Sequence, residues 1–316
     1  MGPGGGPGRD PAARAGQPGH SLRLGPLSLA GGERPALKKP ATAKPRPRRS
    51  WLFVAGADEA AHRAAARSGA DAIILELEDF TPAELRPKAR AHAAEVLDEW
   101  RATGALAGVR INPLETCGRD DLVGVLAGRP DFIMMSKVES PAQVKALEAE
   151  TGGAVDLVPN VETAAGLLNT CAIAKASKRV VATLVASEDM VADLGAVRSR
   201  RGGELAYVRS RFLVECRAAG VEAIDCPYTF SDVEGAAADA RYARRLGYRM
   251  KSLVHPAHVA AVNRALTPNL ARARRIVAAF EKARAQGKDR ARLDGALIEV
   301  PAYAAAKRLL ESDGQS

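Results

Sequence analysis

The chain has 316 residues, is 47% hydrophobic and carries a formal charge of +9. That suffices for one core of about 250 residues with an appendage, and no apolar stretch is long enough for a bilayer, so no membrane partner is expected. The charge resembles a nucleic-acid signal until it is located: residues 1–49 hold ten Lys/Arg against two acids, the rest is close to neutral, and a basic catalytic body is excluded.

Taken in order, residues 1–48 carry ten Gly and nine Pro with no helical or alternating period, and are expected to be a disordered basic tail. Arg48-Arg49-Ser50-Trp51-Leu52-Phe53 superficially resembles a twin-arginine signal, but its apolar run ends at Gly56-Ala57-Asp58, too soon for export. The Gly/Pro load also opposes an amphipathic transit helix. The tail lacks interleaved aromatics, so no nucleic acid is expected as a partner.

Eight short apolar runs then follow, at residues 51–54, 72–75, 109–111, 132–135, 155–158, 180–185, 223–226 and 250–254. Helix-like segments lie between them, at 58–68, 83–102, 119–127, 141–150, 163–177, 204–219, 232–246 and 256–265. Thr81-Pro82, Ser140-Pro141 and Ser231-Asp232 supply helix starts. Eight βα units in succession predict a (β/α)8 TIM barrel over residues 49–267, with the polar residues that close each strand converging on one pocket. Residues 194–203, with Arg198, Arg200 and Arg201, read as a longer connection on that face. After His255-Pro256 no strand-like run is evident, and residues 268–316 read as a helical lid. Cys117, Cys171, Cys216 and Cys226 form no Cys-x-x-Cys pair and read as reduced thiols in a cytoplasmic protein.

The strand-closing residues include Glu78-Asp79, Arg110, Asn112, Lys137, Glu139, Glu162, Glu188-Asp189 and His255. Mg2+ takes oxygen ligands, usually one or two carboxylates completed by water and substrate oxygens. Glu162 and Asp189 close neighbouring strands and form the best-placed pair, although either acid alone reads equally well as a helix cap. Arg110 offers a planar fork to a substrate carboxylate; its plainer reading is an ion pair with Glu78 or Asp79, and both hold if those acids orient the guanidinium. Lys137 and Glu139 read as a self-satisfied pair lining the pocket. His255 and His258 lack a third ligand, which favours a hydrogen-bonded role. No dinucleotide fingerprint, Walker loop or Gly-x-Ser-x-Gly is present.

These stretches resemble the HpcH/HpaI aldolase and citrate lyase β-subunit family, in its acyl-CoA lyase branch, over residues 48 to 311. The likeness rests on Arg49-Ser50-Trp51-Leu52-Phe53-Val54-Ala55-Gly56, Gly69-Ala70-Asp71 through Glu78-Asp79, Val109-Arg110-Ile111-Asn112-Pro113-Leu114 and Ser136-Lys137-Val138-Glu139-Ser140. It continues in Val161-Glu162-Thr163-Ala164-Ala165-Gly166, Glu188-Asp189 through Asp193-Leu194-Gly195, Tyr228-Thr229 and His255-Pro256. The resemblance implies a Mg2+-dependent barrel in a homotrimer or hexamer whose C-terminal segment covers a neighbouring subunit's site. It implies metal ligation by Glu162 and Asp189 and carboxylate binding by Arg110; Arg110, Glu78, Asp79 and Glu299 are the expected catalytic residues, Lys137 a further substrate contact and Arg49 a coenzyme contact.

The implied reaction is cleavage of a malyl-, citramalyl- or citryl-CoA type 3-hydroxy-acyl-CoA to a 2-oxo acid and acetyl-CoA or a similar acyl-CoA. Malate synthase-like condensation, thioester hydrolysis and a catalytically silent binding subunit are the alternatives. The sequence departs from the family's pattern at Ala55, Glu76, Ser136 and Glu299. Glu299 stands where the family's lid carries the proton-exchanging Asp.

Overall fold

In the computed structural model the described residues are 48–312, so the expected disorder of the tail falls almost wholly outside them. A closed barrel of eight parallel strands runs in chain order: β1 (Ser50–Ala55), β2 (Ala72–Glu76), β3 (Leu106–Ile111), β4 (Phe132–Met135), β5 (Asp156–Val161), β6 (Ala182–Val185), β7 (Glu222–Asp225) and β8 (Met250–Leu253). Pairing of β1 with β8 closes the ring. The predicted (β/α)8 architecture is therefore present, as a ring that leaves no exposed sheet edge.

Alternation along each strand separates two cores. Trp51, Phe53, Ala72, Ile74, Phe132, Met134, Val158, Leu184 and Ile224 pack inside the barrel, while Leu52, Val54, Ile73, Leu75, Val109, Ile133 and Leu157 pack outward against the helices. At Gly108 an added Cβ would overlap the Phe132 ring, so the missing side chain makes room for that ring, whose centroid lies 4.9 Å from that of Trp51.

The helices that bracket the strands are α1 (Glu59–Ala66), α2 (Arg86–Ala102), α3 (Gly118–Val125), α4 (Pro141–Glu150), α5 (Ala164–Leu168), α6 (Thr170–Ala174), α7 (Glu188–Asp193), α8 (Ala206–Ala219), α9 (Val233–Leu246) and α10 (Val259–Leu266). Asp58, Thr163 and Asp232 accept backbone N–H groups at the starts of α1, α5 and α9, and Ser140 with Gln143 forms a capping box on α4. The single helix expected over 163–177 is two, because the chain leaves helical geometry at Asn169, whose side chain donates instead to the Glu139 carbonyl at 2.9 Å. Among the described residues no helix is long and apolar enough to cross a membrane.

The C-terminal segment corrects the all-helical expectation. Between α11 (Leu270–Ala285) and α12 (Val300–Ser312) stands a hairpin of β9 (Ala291–Leu293) and β10 (Ala296–Ile298). Its two-residue turn is Asp294-Gly295, with φ of 50° and 78°, the left-handed pair that an Asp-Gly turn favours. This unit has small cores of its own, one with Phe280 stacked on Tyr303 at 4.6 Å. Leu309 and Ala306 of α12 and Ala273 of α11 border a cavity with Gly247, Tyr248 and Arg249, the residues that lead into β8. The unit thus meets the barrel at the end where the strands begin.

Candidate active site

The period that fills the barrel with apolar side chains also aims the polar ones. Glu76 follows Ile74 on β2, Arg110 follows Gly108 on β3, and Asn160 and Glu162 follow Val158 at the end of β5. All four are buried. They lie at the strand ends that face the C-terminal mouth, where a barrel assembles its site.

Arg110 is the hub. Its Nε donates to Glu76 Oε1 at 2.9 Å, Nη2 lies 3.1 Å from Glu78 Oε2 and 3.8 Å from Asp79 Oδ2, and Nη1 lies 3.6 Å from Glu162 Oε1. The rings of Phe53 and Phe80 flank the guanidinium, with centroids 5.0 and 5.9 Å from Cζ, a cation–π arrangement strengthened by desolvation. Burial alone would ease its deprotonation, but Glu76, Glu78 and Glu162 outweigh that and hold it charged. Glu78 also accepts from Lys137 Nζ, and burial raises its pKa despite Arg110 and Lys137. Lys137 sits in a left-handed backbone conformation (φ 54°). The expected Lys137–Glu139 pair does not form, since Lys137 turns to Glu78 while Glu139 accepts from Thr163 Oγ1 at 2.6 Å.

Glu162 is fully buried, and burial together with the charges of Glu78 and Asp189 pushes its carboxyl up to about 8 against the pull of Arg110. Asn160 Nδ2 donates to Glu162 Oε1, whereas Glu162 Oε2 and Asn160 Oδ1 are buried without a hydrogen-bond partner. An orphaned carboxylate oxygen in range of a second acid is costly unless a cation takes it up. The pair of Glu162 and Asp189 fits a hard divalent ion whose remaining ligands are water or substrate oxygens. Among the described residues no three His, Cys, Asp or Glu gather into a group that could hold a metal ion.

A cavity of about 410 Å³ opens above these groups. It is lined by Phe53, Asp79, Phe80, Arg110, Asn160 and Asp189 on one part of its wall, and by Ser187, Glu188, Thr229 and His255 on another. Glu188 Oε1 accepts from Thr229 Oγ1 at 2.7 Å and from Arg198 Nε at 3.1 Å, so the long 194–203 connection braces the wall. The His255 ring nitrogen lies 3.4 Å from the Thr229 carbonyl oxygen and that of His258 lies 3.1 Å from the Ser231 carbonyl oxygen.

The structure brings together Glu78, Asp79, Arg110, Lys137, Glu162 and Asp189, and leaves three expected residues outside. Asn112 donates to Leu77 O and Asp121 Oδ2, both at 2.8 Å, and braces the strand end instead of lining the cavity. Arg49 precedes β1 and bonds Asp71 at 2.9 Å and Thr267 Oγ1 at 2.7 Å. It lies at the opposite end of the barrel from the cavity. Glu299 borders a different cavity, with Asp289 and Arg290. Asn160, Phe53 and Phe80 join the site without having been read there from the sequence, and Glu76, read only as a departure in a pocket wall, bonds Arg110 directly. The signal for Glu76 and Asn160 was the two-residue period that places them beyond Ile74 and Val158.

The sequence profile of HpcH/HpaI aldolase/citrate lyase matches residues 49–256. The chain belongs to this family. The family match spans β1 to β8 and ends before α11. The chain is 30% identical over 281 residues to citrate lyase subunit beta of Leuconostoc mesenteroides subsp. cremoris, covering 84% of this chain and 93% of that one. It is 31% identical over 264 residues to the (3S)-malyl-CoA thioesterase of Cereibacter sphaeroides, covering 80% and 90%. Protein CitE of Mycobacterium tuberculosis, solved with magnesium, acetoacetate and coenzyme A, superposes with a TM-score of 0.70 at 29% identity over 85% of this chain and 98% of that one.

Proposed function

We propose that the chain is a Mg2+-dependent carbon–carbon lyase that cleaves a 3-hydroxy-acyl-CoA of the malyl-, citramalyl- or citryl-CoA type to a 2-oxo acid and acetyl-CoA or a similar acyl-CoA. The observation that carries this reading is the buried, half-satisfied Glu162 carboxylate, in range of Asp189 and 3.6 Å from Arg110, under a 410 Å³ cavity. Magnesium, acetoacetate and coenzyme A bound to the related CitE support it.

Glu162 and Asp189 would hold the ion, which when bound supplies Lewis-acid stabilisation to oxygens that gain charge as the carbon–carbon bond breaks. Arg110 keeps its fork in place through Glu76 and Glu78 and presents its remaining donor edge to the substrate carboxylate. Lys137, held by Glu78, adds positive charge at the rim. Phe53 and Phe80 exclude water from the guanidinium face, which strengthens its contact with an anion.

The departing acetyl carbon needs a proton, and Glu299 is the carboxyl we assign to it. Its unit packs where the strands of its own barrel begin, so it serves the mouth of a second copy, in a homotrimer or hexamer. The four cysteines are free, which fits the reducing cytoplasm.

Thioester hydrolysis is the second reading, favoured by the malyl-CoA thioesterase relative. The test is incubation of purified protein with Mg2+ and malyl-, citramalyl- or citryl-CoA. A 2-oxo acid with acetyl-CoA supports the lyase, free CoA supports hydrolysis, and inactivity on all three with metal bound overturns both.

A further inference from the structure

Part of the cavity wall is a loop that the core does not hold. Residues 77–81 follow β2; Glu78 grips Arg110 and Lys137, and Asp79 and Phe80 line the cavity. Phe80 is 42% exposed, so packing against the core does not fix it. The backbone of this loop is fastened to side chains instead, group by group. Glu76 accepts the N–H groups of Glu78 and Phe80, both at 2.6 Å, and Asn112 donates to the Leu77 carbonyl at 2.8 Å. The carbonyls of Glu78 and Thr81, two buried residues, need donors as well.

Arg86, the first residue of α2, supplies both. Its Nη2 donates to Glu78 O at 3.1 Å and its Nε to Thr81 O at 3.2 Å, so one planar group brackets Asp79 and Phe80. Its Nη1 donates to Cys117 Sγ at 3.3 Å, in the connection that follows β3, the strand of Arg110. Among the described residues Arg86 has no carboxylate partner, and it stands outside the cavity lining. A half-buried guanidinium whose donors go to two carbonyls and a thiol, with no acid among its acceptors, works as a geometric tie between loops. Without it the two carbonyls lose their donor, which is costly for buried groups. The loop relieves that cost by turning them toward water, and the turn carries Glu78 and Phe80 away from Arg110.

We propose that Arg86 is a positioning residue: it ties the loop after β2 to the loop after β3 and so sets where Glu78, Asp79 and Phe80 stand around the Arg110 guanidinium. Its effect on turnover rests on the lyase reading, whereas its effect on the order of the loop does not.

The full chain is followed by amide hydrogen exchange, and by calorimetric titration with pyruvate, a minimal 2-oxo acid, in the presence of Mg2+. The parent is compared with Arg86→Met and Arg86→Lys. In Arg86→Met the amides of Glu78 and Phe80 should exchange about tenfold faster or more while those of β5 to β8 keep the parent rates. Pyruvate affinity should fall about tenfold, and KM for the thioester should rise by a similar factor. Arg86→Lys, a cation without the planar fork, should lie between parent and methionine variant. Parent-like exchange in Arg86→Met, faster exchange spread evenly over the barrel, or local loosening with pyruvate affinity intact overturns the proposal. Should Arg86→Met fail to fold, the lysine variant decides by the same signs. If the loop loosens locally but the parent itself neither takes up pyruvate nor cleaves a thioester, the tie stands and the lyase reading falls.

Discussion

Glu76 and Arg110 are register partners on β2 and β3, and their side chains meet at 2.9 Å with both almost fully buried. A guanidinium fixed in this way has given up its rotational freedom before substrate arrives, which lowers the entropic cost of binding. Glu76→Gln keeps an acceptor for Nε but removes the charge, and should lower kcat/KM by about tenfold or more with a small change in Tm. Glu76→Ala leaves a buried cation short of a partner and should destabilise by about 3 kcal/mol in urea unfolding. An alanine variant with full stability and full activity would show that Glu78 alone positions Arg110.

Replacing the fork itself separates charge from geometry. Arg110→Lys retains a cation but loses the planar donor edge, so kcat/KM should fall about 100-fold or more while Mg2+ uptake persists. Equal activity of the lysine variant would remove the bidentate role.

Glu162 gives a pH dependence of defined sign. Its folded-state value of about 8 lies above the ordinary 4.5, so in metal-free protein its contribution to stability is fully present below about 4.5 and is lost as pH rises through about 8. Mg2+ needs the ionised form, so magnesium affinity should rise about tenfold per pH unit up to about 8, with proton release. Calorimetry in buffers of different ionisation enthalpy measures both quantities. Glu162→Gln should abolish uptake and make the metal-free protein more stable than the parent at alkaline pH; Asp189→Asn should abolish uptake with a smaller gain, since it removes only one of the charges that raise Glu162.

On the helix-facing side of β7 and β8, Asp225, Lys251, Arg209 and Asp239 form a buried charge cluster, with contacts of 2.6 Å for Arg209–Asp225, 2.7 Å for Arg209–Asp239 and 2.5 Å for Lys251–Asp239. Burial pushes the Asp239 carboxyl up, but Lys251 and Arg209 outweigh it and hold it at about 2, below the usual 3.8. A depressed carboxylate contributes stability that is complete above the unfolded value and is lost as pH falls. Acid unfolding should therefore steepen between about 3.8 and about 2. Asp239→Asn should remove that steepening and cost about 3 kcal/mol near neutral pH, as followed by circular dichroism across pH.

Glu299 is tested by complementation. Glu299→Ala and Glu162→Ala homo-oligomers should each be about 100-fold or more less active, yet mixed and reassociated subunits should regain activity, because some sites then combine an intact barrel with an intact C-terminal unit. Failure to regain activity after verified subunit exchange would place Glu299 outside the reaction. Glu299→Asp measures the effect of the extra methylene.

Much of the architecture follows from local pattern. Eight apolar runs alternating with capped helical stretches allow few packings other than a ring, and the acids and Arg110 at the run ends are visible as interruptions of that pattern. The β9–β10 hairpin was also legible in Asp294-Gly295, but strands this short carry too few side chains to stand out against flanking helices. Glu76 was legible as an acid and as a departure from the family's pattern, but not as the partner of Arg110.

Sequence alone established a parallel barrel, a tail holding most of the net charge, and a set of carboxylates and one arginine with the chemistry for a metal and an anion. Folding determined the rest. It paired Glu76 with Arg110, turned Lys137 from Glu139 to Glu78, left one oxygen of Glu162 without a partner, and placed Arg49 and Glu299 away from the cavity. These outcomes depend on ring closure and on which barrel end a residue occupies. Coulombic and desolvation energies act through space between groups far apart in the chain, so residue spacing alone does not encode them.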